Sequence, residues 1–135
     1  MIDGDRLAAA IVWAKERYAE CDVCAVGCGV NRLTGELGQC GLGEEGLVYK
    51  EYVHLGEEQC LLPSHTIYLS GCNFRCAFCS DLAPVLKPLS HGVSVHPEVL
   101  ARRIAKRRAE GAKNVNFVGG LPDVNLLYIL RTLRY

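Results

Sequence analysis

The spacing of apolar residues changes along the chain, and each spacing predicts an element. Leu7, Ile11, Ala14 and Tyr18 recur at i, i+4, i+7 and i+11, the repeat of one helix face, so Asp5 to Glu20 is read as an amphipathic helix capped by Asp3 or Asp5. Arg6, Lys15 and Glu16 fall off that stripe, and Trp13 next to it is expected in the core or partly buried. From Leu47 to Glu58 the sequence LVYKEYVHLGEE alternates apolar and polar positions, the period of a strand or half-hairpin ending in a polar turn. Thr66 to Leu69 is a β-branched and aromatic run, short enough for a buried strand and set off by Pro63, Ser64 and His65.

The second half repeats the theme. Val93 to Pro97 leads into a helix with His96 near the cap, Pro97 at the first helical position and Glu98 in the first turn. Leu100, Ile104 and Ala105 are expected to point inward, with Gly111 as terminator. Arg102, Arg103, Lys106, Arg107 and Arg108 ride on this helix and read as a solvated face placed well for the helix C-terminus, in preference to a phosphate-binding stripe. Asn114 to Val118 is a second strand, followed by Gly119-Gly120-Leu121-Pro122 and a helix carrying Leu126, Leu127, Leu130 and Leu133, for which Asp123 is the expected cap. Strand, cysteine loop, helix, strand, diglycine loop, helix is a βα repeat, so the fold class is α/β. Residues 1–60 form the N-terminal helix and Cys-rich segment, and 61–135 the first βα units. Parallel neighbours joined by a right-handed crossover put the cysteine loop and the diglycine on one rim.

Composition narrows the partners. The 15 basic and 15 acidic residues cancel, so there is no net attraction to nucleic acid or to a membrane surface. The acidic opening MIDGD and the short apolar run Leu7 to Ala14, closed by Lys15, argue against a secretory signal or a membrane span, and a cytoplasmic setting is expected. Seven of the eight cysteines fall in two tight groups at metal-ligand spacings instead of scattering as a disulfide framework would, and all are read as reduced thiols. Cys21, Cys24, Cys28 and Cys40, in a glycine-rich segment, offer a closed shell of four thiolates. Zinc is the plain occupant, with a second iron–sulfur cluster or merely buried reduced thiols as the alternatives. Cys60, outside both groups, is expected to be a small buried thiol. His54, Glu57 and Glu58 read as caps of a solvated turn in preference to an acid/base or metal group.

Cys72, Cys76 and Cys79 stand in CxxxCxxC spacing directly after the Thr66 to Leu69 strand. A structural tetrahedral metal takes four ligands, whereas an iron–sulfur cube held by three cysteines keeps one iron free for something else. His65, Cys60 or His91 would have to complete a closed site. The following diglycine permits a small molecule to approach the backbone closely.

With Phe78 before the last cysteine and FVGGLP after the next strand, this stretch resembles the opening of a radical S-adenosylmethionine (SAM) enzyme. More narrowly, the N-terminal cysteines, VNR at Val30 to Arg32, HLGEE at His54 to Glu58 and the run SGCNFRCAFCSD resemble the PflX-like group, related to pyruvate formate-lyase activating enzymes. The resemblance implies a [4Fe-4S] cluster on Cys72, Cys76 and Cys79, its open iron chelated by the amino and carboxylate groups of SAM. Phe78 would lie by the adenine, and Gly119 and Gly120 would meet the methionyl amino group. It further implies formation of a 5′-deoxyadenosyl radical, a one-electron reductant of flavodoxin or ferredoxin type, and a glycyl-radical protein as one class of substrate. Leu121 stands where the related motif often has Glu, so only backbone contacts carry over at that position. A complete (β/α)₈ barrel takes roughly 250 residues. The expectation is therefore an incomplete radical SAM (β/α) partial-barrel start, preceded by the N-terminal helix and a Cys-rich metal-binding segment, in a chain that is an N-terminal fragment.

Overall fold

The computed structural model describes residues 3–135, so the first two residues of the acidic opening lie outside the described part. Asp3 caps α1 (Gly4–Ala19), its carboxylate accepting from the Asp5 amide at 3.0 Å. Ile11, Ala14 and Tyr18 are buried, as their repeat requires. Trp13 is instead 51% exposed, which corrects the sequence expectation. Two positions past Ile11 is a rotation of roughly 200° about a helix axis, which carries the indole away from the buried stripe.

A single 3₁₀ turn at Arg32–Thr34 precedes the strands β1 (Leu47–His54) and β2 (Ser64–Leu69). The short helices α2 (Leu82–Leu86) and α3 (Pro88–His91), the two-residue β3 (Val93–Ser94), α4 (Pro97–Ala109), β4 (Asn114–Gly119) and α5 (Leu126–Leu133) follow. The sheet order is β3-β1-β2-β4. β2 and β4 pair in parallel with Leu69 opposite Gly119, whereas β1 runs antiparallel to both β2 and β3. The molecule is therefore mixed α/β, one βα crossover with an antiparallel flank. Residues 1–60 and 61–135 share this sheet, since β1 from the first segment pairs with β2 from the second.

Two apolar clusters hold the layers. Val48, Ile67 and Leu69 of the sheet pack on Leu100 of α4 and Tyr128 of α5. Ile11, Ala14 and Tyr18 of α1 pack on Leu127 on the other side of α5. Each fully buried Leu or Ile here contributes about 1.5–3 kcal/mol. On α4, Leu100 is buried and Ile104 half-buried, but Ala105, expected inward, is exposed, being one helical step beyond the face that Leu100 and Ile104 define. Three arginines of α4 are paired at the surface: Arg102 with Glu98 at 3.4 Å, Arg107 with Glu110 at 2.8 Å and Arg103 with Glu51 at 3.0 Å. Asp123 does not cap α5. A turn intervenes, its carboxylate accepts from the adjacent Val124 amide at 2.8 Å, and Asn125 takes the N-cap position.

Candidate metal centre at the sheet rim

Because β2 and β4 are parallel, the loops that leave them start side by side. β1 is antiparallel to β2, so the segment entering it arrives at the same rim, where the Ser70 amide donates to the Leu47 carbonyl at 2.7 Å. Three stretches therefore meet there: the N-terminal cysteine segment, the loop carrying Cys72, Cys76 and Cys79, and the diglycine turn.

Cys72, Cys76 and Cys79 line one hollow of about 440 Å³ together with Phe78, Gly119 and Leu121. Cys72 is buried, Cys79 half-buried and Cys76 exposed. The Phe74 amide donates to Cys72 Sγ at 3.4 Å. Among the described residues, no three His, Cys, Asp or Glu side chains stand close enough together to hold a metal ion: the three sulfurs share a hollow without converging on a point. None of the expected fourth donors lines it. His65 is buried in β2 with Nε2 at 3.0 Å from Glu51, and His91 Nδ1 lies 3.2 Å from the Lys87 carbonyl. Cys60 is exposed, correcting its expected burial; it sits in the polar turn between β1 and β2, at the end of the sheet away from the rim. His54 and Glu57 occupy that same turn, 3.3 Å apart, with Asn116 donating to the Glu57 carboxylate at 2.6 Å. Asp81 is the one carboxylate in the lining; three thiols with no fourth thiol or imidazole fit an iron–sulfur cluster with one open iron better than a closed ion of the Cys/His type.

The two glycines have different surroundings. Gly119 lines the hollow at φ +82°, and a Cβ there would come within 2.6 Å of Tyr49 Oη and 2.8 Å of the Leu69 carbonyl. Gly120 is buried behind it, its amide donating to Leu69 O at 2.5 Å, and a Cβ would collide with the Gly71 carbonyl. Side chains that the sequence did not single out tie the rim together. Arg75 donates to the carbonyls of Phe74 at 2.7 Å, Cys72 at 3.0 Å and Gln39 at 3.3 Å, linking the two cysteine segments. Asn125 Nδ2 donates to Ser70 O at 3.2 Å and Leu121 O at 3.1 Å, linking the cysteine loop to the diglycine turn. Only the position of Arg75 between two cysteines could have hinted at this.

Two tyrosines border the site. The Tyr49 phenol is buried without a hydrogen-bond partner, and burial, then the neighbouring Asp81 carboxylate, holds it well above the ordinary tyrosine range. Tyr68, in the wall of the hollow, shares a 3.0 Å hydrogen bond with Tyr52. That bond, with some burial, pushes Tyr68 up to about 12. Both therefore stay neutral at physiological pH.

Cys21, Cys24, Cys28 and Cys40 line a second, much tighter space with Arg32. Their backbone forms knuckle turns: the Cys21 amide donates to Val30 O at 2.9 Å and the Gly29 amide returns to Cys21 O at 2.9 Å. Desolvation pushes the thiols of Cys21 and Cys40 up. It also raises Cys28, but amide hydrogen bonds from Gln39 and Val30 outweigh it and leave that thiol below its usual value.

A larger hollow of about 520 Å³ lies between α1, α5 and the start of α4. It contains no cysteine, and its Glu44 and Glu45 are already engaged by Arg131 and Ser94, so the chemistry points to the rim. No helix among the described residues is long and apolar enough to cross a membrane.

The chain is similar to an uncharacterized protein of Methanocaldococcus jannaschii, with 44% identity over 127 residues that take in 90% of this chain and 37% of that protein. It thus spans a little over a third of that relative's length. No protein-family model matches the chain, and no solved structure does.

Proposed function

We propose that this chain is the N-terminal part of a radical SAM enzyme of the activating-enzyme type, holding a [4Fe-4S] cluster through Cys72, Cys76 and Cys79 and SAM in the hollow beside them. The observation that carries the reading is the common lining: three thiols, Phe78, Gly119 and Leu121 around one space at the C-terminal ends of two parallel strands, with Asp81 as the one carboxylate there and no fourth thiol or imidazole. Its volume of about 440 Å³ suits a small-molecule ligand.

The chemistry that a [4Fe-4S] cluster supplies when bound is one-electron cleavage of SAM to methionine and a 5′-deoxyadenosyl radical. The residues of the chain bind and shield. Phe78, 90% exposed, would present an apolar face to the adenine. Gly119 leaves room for the methionyl end to reach backbone polar groups, and Leu121 offers its backbone and an apolar wall. Gly120, its amide spent on Leu69, shapes the turn. A flavodoxin- or ferredoxin-type reductant in a reducing cytoplasm would supply the electron. The substrate class would be a glycyl-radical protein or a small molecule, and turnover would belong to the longer protein that completes the domain.

The openness of the site, with Phe78 so exposed, favours one other reading: a non-catalytic iron–sulfur module. Anaerobic reconstitution separates them. Four irons and four sulfides are expected per chain, with loss of both in Cys76→Ala; full iron and sulfide in that variant would falsify the cluster assignment. With the cluster in place, a longer chain completing the domain is expected to release 5′-deoxyadenosine from SAM under reductant. A reduced cluster that yields none, and whose paramagnetic resonance spectrum ignores added SAM, belongs to the module.

A further inference from the structure

Arg32 is only 1% exposed. Its Nε donates to Gly43 O and its Nη2 to Val124 O, both at 2.9 Å, and the guanidinium lies 3.9 Å from the centroid of the Tyr18 ring. These partners are neutral. Tyr18 is itself held in its protonated form by burial, no carboxylate pairs with Arg32 among the described residues, and Nη1 has no hydrogen-bond partner at all. A buried cation without an anion is expensive, so it implies a negative charge close by. The space that Arg32 borders is lined by Cys21, Cys24, Cys28 and Cys40, and the other lining residues, among them Val23 and Val124, carry no charge.

We propose that Cys21, Cys24, Cys28 and Cys40 bind a single divalent ion of the zinc class as a closed tetrathiolate, with the Arg32 guanidinium as its buried counter-ion. Four thiolates around a divalent ion carry a net charge of about −2, and one guanidinium halves it. The size of the space selects a single ion over a second cluster. It is about 10 Å³, room for roughly one water-sized sphere, whereas a cube of four irons and four sulfides needs far more. Gly38 is part of the same arrangement, because a Cβ there would stand 3.3 Å from Cys40 Sγ and 3.4 Å from Cys28 Sγ, crowding both sulfurs. The thiols line the space without yet standing at the ~2.3 Å zinc–sulfur distance, while the backbone turns that present them are already formed.

The site is independent of the cluster reading, and the experiment keeps them apart by using Cys76→Ala, which removes the triad, as the background. Chain purified anaerobically and supplied with zinc is expected to retain one equivalent after dialysis in that background, and cobalt in its place to show the intense visible bands of a tetrahedral thiolate site. Adding Cys40→Ser or Cys21→Ser is expected to abolish retention. Arg32→Met, similar in length but neutral, is expected to weaken zinc about 10-fold or more in chelator competition, with Arg32→Lys close to the parent. Full zinc in Cys40→Ser, an octahedral cobalt spectrum, or iron with sulfide held by these cysteines in the Cys76→Ala background each overturns the proposal. Parent-like affinity in Arg32→Met removes the counter-ion role. The cobalt spectrum needs no substitution in the knuckle, so it remains decisive even where a knuckle variant does not fold.

Discussion

Gly120 shows how little freedom the rim has at single positions. Its amide closes on Leu69, and the hydrogen where a side chain would begin faces the Gly71 carbonyl. Backbone cannot yield as the tip of a flexible side chain can, so Gly120→Ala is expected to destabilise the fold by about 3 kcal/mol, measured by urea unfolding of the cluster-free chain. A loss below about 0.5 kcal/mol, the range of ordinary surface changes, would show that the diglycine turn is looser than drawn. At this scale the sequence was legible where chemistry fixes residue type and spacing: the two cysteine groups stand out unaided. Arg32 and Arg75 were not legible. A charged residue in a loop reads as solvated by default, and beyond the place of Arg75 between two cysteines nothing reveals that one guanidinium is buried and the other spans three carbonyls.

Elements followed periodicity where one face is buried and departed from it where tertiary pairing decides. The α1 stripe matches because burial on one face leaves a period in the sequence; β2 and β4 match as short apolar runs without such a period, and His96 and Pro97 open α4 as expected. The antiparallel attachment of β1 and β3 did not show, since alternation marks a strand without naming its partner or direction. Helices α2 and α3 lie within what reads as loop, being too short to show a period. The element that joins the two apolar clusters is α5, which meets α1 through Leu127 and the sheet through Tyr128. Leu127→Ala is expected to cost about 2–5 kcal/mol in the same unfolding measurement. It should detach α1 first, seen as early loss of amide-exchange protection in residues 4–19; uniform loss across the sheet would contradict that division.

On the scale of the molecule, the rim gathers segments far apart in the chain, and the two cysteine sites differ in how much of the fold each needs. The knuckle takes its four sulfurs from residues 21–40, a short loop to close, while the hollow needs residues 68–85 and 118–121 together, so it exists only once β4 has paired with β2. Closing the longer loop costs more chain entropy. The difference sets an order of assembly. As urea is lowered, tetrahedral cobalt bands are expected to return before the hollow can take up a cluster; simultaneous recovery would refute the sequence of events. Arg32 joins the steps, because its Nη2 finds Val124 O only after the diglycine turn is in place. The counter-ion is then locked last, and a chain halted before β4 would carry its zinc while exposing a guanidinium that the finished fold hides.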